Sequence, residues 1–247
     1  MQEIWQNRTR LLLGDTAINV LGKKHVLVAG VGGVGAYAAE MVVRAGIGEI
    51  TIIDGDTIET TNINRQLPAL NSTIGKSKVE VLEQRFKDIN PALEVHAIHE
   101  FLNPENIEQV FLQSRYDYMI DAIDSISPKC MLLAAALAHR VPVVSAMGAG
   151  GKTDVSRIQV ADIFKTYQCP LAASIRRRLR KMGIEKNIKA VFSSEVSRGS
   201  VIENNAIDYK RSALGTISYL PAAFGCWCAN VCIMDMVNAS KESSREV

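Results

Sequence analysis

Several residues in this chain have types and spacings suited to gripping a charged phosphate ester. Gly30, Gly32 and Gly35 form a Gly-x-Gly-x-x-Gly run between an apolar segment and a helical one. Glycines so placed permit a tight turn, close approach of backbone to phosphate, and close packing of helix on strand. The helix that follows presents free N–H groups and the positive end of its dipole. Asp54 ends the next apolar run, where a carboxylate can accept ribose hydroxyls. Three further groups add charge. In "TNINRQ" (Thr61–Gln66), Arg65 offers a planar fork for phosphate oxygens, with Asn62 and Gln66 as neutral donors. In "GKSKVE" (Gly75–Glu80), Lys78, or Lys76 beside it, can place a cation on a polyphosphate. In "IDAIDS" (Ile120–Ser125), Asp124 is a hard oxygen donor for Mg2+, with Ser125 next to it.

These side chains need a scaffold that brings them to one edge, and the hydrophobic pattern supplies it. "HVLVAG" and "EITIIDGD" read as buried parallel strands, with "AYAAEMVVRAG" as the helix between them. "GKSKVEVLEQRFKDINP" reads as an amphipathic helix stopped at Asn90-Pro91. "LEVHAI", "NPENIEQVFLQ", "YDYMIDAID", "SPKCMLLAAALAHR" and "VPVVSAMGAGG" continue the alternation. Beyond Gly151 the pattern loosens to a strand in "RIQVADI", a helix in "PLAASIRRRLRKMG" and a strand in "AVFSSE". A polar loop then runs to about Leu214, before a long C-terminal helix. The expected fold is α/β: a Rossmann-like, doubly wound, mostly parallel sheet with a C-terminal extension and a long C-terminal helix. One domain over residues 1–247 is expected, with 1–150 as the nucleotide half and 151–247 as the substrate and dimer half.

Such a sheet places ligands at the carboxyl ends of its strands, where all four groups fall. An NAD-dependent oxidoreductase would use the glycines and Asp54 but has no work for "NRQ", "GKSK" or the Asp121/Asp124 pair. ATP with Mg2+ uses them all. A non-catalytic nucleotide- or tRNA-binding module leaves an intact phosphate site idle.

Composition narrows the field less. The net charge of +2 favours no partner, but "SIRRRLRKMGIEKNIK" (Ser174–Lys189) holds seven basic residues and one acid. Such a run is either a solvated helix face or a patch for phosphate backbone. Five cysteines, an odd number, give no disulfide framework. Cys226, Cys228 and Cys232 would scatter around a helix, no Cys-x-x-Cys pair exists, and no zinc is expected. The N-terminus lacks the order of a signal peptide. Pro221, Asn230, Asp235 and Asn238 interrupt the longest apolar stretch, Tyr219–Ala239, so a packed helix is expected rather than a membrane span. The expected location is the cytoplasm.

"GVGGVG…RAGIGEITIIDGD…TNINRQ…GKSKVE…DAID" resembles the adenylating domain of the ubiquitin-activating-enzyme superfamily (the ThiF/MoeB type), over roughly residues 8–150. The resemblance implies an ATP site containing Gly33, Asp54, Asp56, Asn64, Arg65, Lys78 and Asp124. It also implies a homodimer in which an N-terminal arginine reaches the partner's ATP site. Arg8 matches that position best, with Arg10 as its neighbour.

The second half is similar to the tRNA threonylcarbamoyladenosine dehydratase branch. The similarity lies in the Gly148–Gly151 turn, the helix start Cys169-Pro170-Leu171-Ala172 and the strand Val191–Glu195. The zinc cysteine pairs usual in sulfur-carrier adenylyltransferases are missing, and Ser193–Ser218 holds no cysteine for a thioester. The implied reaction is ATP-dependent dehydration. The side chain's carboxylate attacks the α-phosphate, giving an acyl-adenylate and pyrophosphate. The carbamoyl group of the same side chain then closes on the activated carbonyl and expels AMP. An internal nucleophile has a high effective molarity, so no enzyme nucleophile is required.

In that scheme Arg65, Lys78 and the partner's Arg8 stabilise phosphate charge while Asp124 positions Mg2+. Arg176, Arg177, Arg178, Arg180 and Lys181 become the tRNA-binding set. A monovalent cation near the Gly148–Gly151 turn and a sulfur-relay partner both stay open. The rival reading is an adenylyltransferase for the C-terminus of a ubiquitin-like sulfur carrier.

Overall fold

The computed structural model describes residues 4–197, 201–202 and 213–243. Two short helices, α1 (Asn7–Leu13) and α2 (Asp15–Leu21), lead into the first strand, β1 (His25–Ala29). The first half continues through α3 (Gly35–Arg44), β2 (Glu49–Ile53), α4 (Lys78–Ile89), β3 (Glu94–Ile98), α5 (Ile107–Gln113), β4 (Tyr118–Asp121), α6 (Ile126–Ala138) and β5 (Val143–Ala146). The second half supplies β6 (Ile158–Asp162), α7 (Pro170–Lys181), β7 (Lys189–Ser193), a two-residue ribbon of β8 (Val201–Ile202) and β9 (Ala213–Leu214), and α8 (Tyr219–Ser243). Most of the polar loop read from sequence ahead of Leu214, at 198–200 and 203–212, lies outside the described residues.

Seven strands form one sheet in the order β3-β2-β1-β4-β5-β7-β6, so strands from both halves share it. All neighbours are parallel except β6, which runs antiparallel to β7 at the edge. The strand order reverses between β1 and β4, and an open sheet has its ligand crevice at the carboxyl ends beside that reversal.

Alternation within each strand feeds two cores. In β1, Val26 and Val28 join the layer built from α2, α3, α4 and α8. Leu27 and Ala29 join the opposite layer, built from α5, α6 and α7. Apolar side chains on both faces are what a covered parallel sheet requires.

α8 is apolar over much of its length and packs one side into the first core, leaving Cys226, Trp227, Asn230 and Asn238 exposed. Leu220, Phe224, Cys228, Cys232 and Val237 are buried in the first core. Gly225 lets α8 cross close to α3, since a Cβ there would stand 2.5 Å from the Val34 carbonyl oxygen. By length and composition Tyr219–Ser240 could cross a membrane, but half of its apolar window is buried inside this fold. Such burial is that of a core helix.

Candidate functional site

The Gly30–Gly35 turn joins β1 to α3 at the reversal point. Gly30 takes φ of 81°, and a Cβ on it would stand 3.0 Å from the Ala122 carbonyl oxygen at the end of β4. Gly35 is more constrained: its Cβ would fall 1.8 Å from the Gly30 carbonyl oxygen. The two glycines let the loops after β1 and β4 close on each other, with Ala122 and Ile123, just ahead of Asp124, against the turn.

Asp54, just past β2, accepts the Val31 N–H at 2.8 Å and the Asp56 N–H at 2.9 Å. Its carboxylate therefore ties the glycine turn to the loop after β2. Lys78, at the first position of α4, is buried and donates to Asp56 at 2.7 Å, with Asp54 at 3.9 Å. Lys76 is exposed in the turn before α4, so Lys78 is the lysine turned toward this carboxylate pair.

"NINRQ" lies directly under the turn. The side chain of Arg65 passes Gly33, and that of Gln66 passes Gly32. Arg65 donates to the Thr61 carbonyl at 2.9 Å and to Asn64 Oδ1 at 2.8 Å, which aims its guanidinium along the loop. Asn64 in turn donates to the Thr216 carbonyl at 3.0 Å. Asn62, expected as a phosphate donor, is buried, and its Oδ1 caps the Glu59 N–H at 3.1 Å. Gln66 Oε1 and Ser77 Oγ, by contrast, are buried with no hydrogen-bond partner. A buried polar atom left unpaired costs about 1–3 kcal/mol, and the hydroxyls of a nucleotide are groups that can satisfy it.

The Asp121/Asp124 pair divides its labour. Asp121 is fully buried, 2.7 Å from the equally buried Lys129 ammonium. It also accepts the Ser145 hydroxyl at 2.6 Å and the Ile123 N–H at 3.1 Å. Lys129 donates to the Ile123 carbonyl at 2.9 Å. This network holds the loop after β4, while Asp124 is exposed and touched by the Ser125 hydroxyl at 3.3 Å.

The second half builds the adjoining wall. Gly151 donates its N–H to the Gly215 carbonyl at 2.8 Å, docking the Gly148–Gly151 turn on the segment entering α8. Thr153 and Asp154 donate backbone N–H groups to Glu195 at 2.9 and 2.8 Å, and Tyr219 donates to the Thr153 carbonyl at 2.9 Å. These bonds, from the Asp154 N–H foremost, hold the Glu195 carboxyl below the usual glutamate range. Buried Lys152 donates to the Ser193 carbonyl at 2.8 Å, and burial pushes its pKa below that of an ordinary lysine. Asn64 with Thr216, Gly151 with Gly215 and Thr153 with Tyr219 thus link this wall beside the glycine turn, where a Cβ on Gly33 would stand 3.2 Å from Pro221 of α8. Sequence reasoning missed Lys152, Glu195 and Tyr219.

α7 is placed differently. It begins where Cys169 and Leu171 pack beside Gly148 at the carboxyl edge. It ends with Arg180 over the ring of Phe164, next to the Ile163–Ile188 backbone bond where β7 begins at the amino edge. A helix of this length spans about 18 Å. Its basic residues therefore lead away from the glycine turn. Arg177, Arg178 and Lys181 are exposed, whereas Arg176 is half-buried and donates to Thr166 Oγ1.

Arg8 also lies away from its own chain's turn. Gln6, one residue ahead of α1, packs on Gly46 before the start of β2, at the amino edge. Arg10 pairs with Asp15 at 2.7 Å, while Arg8 is exposed among Ile4, Leu11 and Leu12, each more than 80% exposed.

Of the three C-terminal thiols, Cys228 and Cys232 are buried packing groups and Cys226 is exposed. Burial pushes Cys228 up to about 12, too high for a ready thiolate. Among the described residues, donors close enough to share a metal ion occur at His25, Glu49 and His96. Sequence reasoning passed them over, because they stand on three strands.

The model of the ThiF family matches residues 6–245. A tRNA threonylcarbamoyladenosine dehydratase of Bacillus subtilis is 44% identical over 76% of this chain and 74% of its own. The enzyme of that name from Escherichia coli is 39% identical over 91% of both chains. The crystal structure of that E. coli dehydratase in complex with ATP superposes with a TM-score of 0.88, at 36% identity and over 98% of each chain. An adenylyltransferase and sulfurtransferase of Anopheles gambiae matches less, at 37% identity over 58% of this chain and 33% of its own.

Proposed function

The chain belongs to the ThiF family, and we propose that it is an ATP-dependent tRNA threonylcarbamoyladenosine dehydratase, acting through an acyl-adenylate. The observation that carries this reading is the likeness to the ATP-bound E. coli dehydratase, which runs through both halves of the chain at 36% identity. The second half, with its Gly148–Gly151 turn and the wall it forms with Thr216 and Tyr219, is where a carrier-protein adenylyltransferase would differ. The A. gambiae match covers only 58% of the chain.

The residues divide the work as follows. The turn Gly30, Gly32, Gly33 and Gly35 offers backbone N–H groups to the phosphates. Asp54 and Gln66 serve the ribose. Asp54 already holds the Val31 and Asp56 N–H groups, and Gln66 has a buried oxygen to satisfy. Arg65, beside Gly33, and Lys78, released in part from Asp56, meet the charge that grows on the α-phosphate as the substrate carboxylate attacks. Asn64 links this loop to that wall through Thr216. The exposed carboxylate of Asp124, with Ser125 beside it, suits Mg2+, a hard ion that neutralises triphosphate charge when bound.

The enzyme works as a homodimer. Arg8 stands at the opposite edge from its own glycine turn, on a helix with exposed Leu11 and Leu12, so it completes the site of a second copy. The substrate tRNA, bound in the cytoplasm, contacts Arg177, Arg178 and Lys181, and less directly Arg176 and Arg180, which are partly engaged with Thr166 and Phe164. A single adenylating domain over 1–247 holds both sites.

Arg65→Ala tests the assignment. Removing one charge-assisted contact that tightens in the transition state costs about 3 kcal/mol, near a hundredfold in rate. Arg65 is a half-buried loop residue, and its replacement leaves the fold intact. Unchanged AMP release by a folded R65A protein would refute its role.

A further inference from the structure

A second constellation lies at the other end of the sheet. The register sets Glu49 beside both His25 and Glu94, and His96 beside Thr51. Alternation puts all five side chains on the face shared with Leu27, Ala29 and Ile53. Glu49 sits four residues ahead of Ile53, so the cluster is about 13 Å along the strand from the nucleotide edge.

Two imidazole nitrogens converge on one carboxylate oxygen. His25 Nδ1 is 3.2 Å from Glu49 Oε1, and His96 Nε2 is 2.9 Å from the same atom. All three donor atoms lie within 4.8 Å of one another. The edge of a tetrahedron around zinc with ordinary Zn–N and Zn–O bonds is about 3.3 Å, so small rotations of these side chains would admit the ion.

The outer contacts match what a metal-binding histidine needs. His25 Nε2 meets the Thr51 hydroxyl at 2.8 Å, which leaves Nδ1 facing the cluster. Tyr116 packs edge-on against the His25 ring with centroids 4.7 Å apart. A second carboxylate, Glu94 Oε1, stands 3.6 Å from His96 Nε2. The neighbouring cation, Lys24, is neutralised by Asp117 at 2.7 Å. His25 is buried, whereas the His96 and Glu49 side chains are about a third exposed, so an ion has a path in and a coordination position open to water.

We infer that His25, Glu49 and His96 form a zinc site that pins the amino ends of β1, β2 and β3, separate from the nucleotide chemistry. Two neutral imidazoles and a carboxylate, all on strands, are a donor set of zinc type. The expectation of no zinc rested on cysteine spacing and did not reach these donors.

The test is zinc binding by the full chain, stripped with chelator and dialysed against Zn2+ in excess Mg2+, with metal counted per chain and thermal midpoint recorded. One Zn2+ per chain and a raised midpoint are expected. His96→Ala and Glu49→Gln, both at partly exposed positions, should lose that equivalent and the rise. Thr51→Val should weaken binding by about tenfold or more. Cys226→Ser should change nothing. The proposal is overturned if the wild-type chain binds no more zinc than His96→Ala, if both His96→Ala and Glu49→Gln keep the full equivalent, or if Cys226→Ser loses it.

Discussion

The Asp54 carboxylate accepts the N–H of Val31 from inside the glycine turn, at 2.8 Å and across 23 residues of sequence. One side chain therefore ties the glycine turn to the loop after β2, and the proposed function gives it the ribose as well. Asp54→Ala removes both functions. The apparent ATP affinity should weaken and turnover should fall by about a hundredfold, the scale of one lost charge-assisted contact. Asp54→Asn keeps one acceptor oxygen for Val31 and should lose less. Steady-state AMP release at varied ATP separates the two variants, and equal losses would show that the turn does not depend on this bond.

Away from the site, Glu40 of α3 is buried and bonded to Arg44 and Arg85. Burial pulls its pKa upward, but the hydrogen bonds and charges of Arg85 and Arg44 outweigh burial and hold it below the ordinary glutamate value. A carboxyl with a depressed folded pKa contributes stability that is complete above its unfolded pKa and is lost as pH falls through the folded one. Glu40→Gln should therefore cost about 1–2 kcal/mol at neutral pH. The cost should shrink as the pH drops below the ordinary glutamate range. Urea unfolding at neutral and acid pH measures both values, and a pH-independent difference would contradict the assignment.

If α7 grips tRNA, its exposed arginines meet phosphates and release counterions. Affinity should then fall steeply with salt, and replacing Arg177 and Arg178 together by alanine should reduce the slope of log K against log salt by about 1–2. Filter binding across a salt series reports the slope. A variant with an unchanged slope would move the tRNA to another face.

Much of the nucleotide edge was legible in the sequence because its signals are local. The glycine run, Asp54 and Lys78 each sit at the junction of a strand or helix that the apolar period already marks. The wall contributed by the second half was not, because it depends on contacts such as Asn64 with Thr216 and Thr153 with Glu195, 152 and 42 residues apart. Asp121 looked like a partner for Asp124, and only the burial of Lys129 against it reveals a structural pair. The basic run was visible as a run. That it leads away from the turn follows from Gly148 packing at one end of α7 and Phe164 at the other. His25, Glu49 and His96 carry no sequence signal, since parallel register alone aligns them.

The most direct measurement is the mass of the modified nucleoside. Purified protein is incubated with ATP, Mg2+ and tRNA bearing threonylcarbamoyladenosine, and the nucleoside is weighed while AMP and pyrophosphate are followed in parallel. The dehydratase account predicts the loss of one water per nucleoside, matched by one AMP. An unchanged nucleoside from a preparation that binds ATP would contradict it and turn attention to a carrier-protein carboxylate as the substrate.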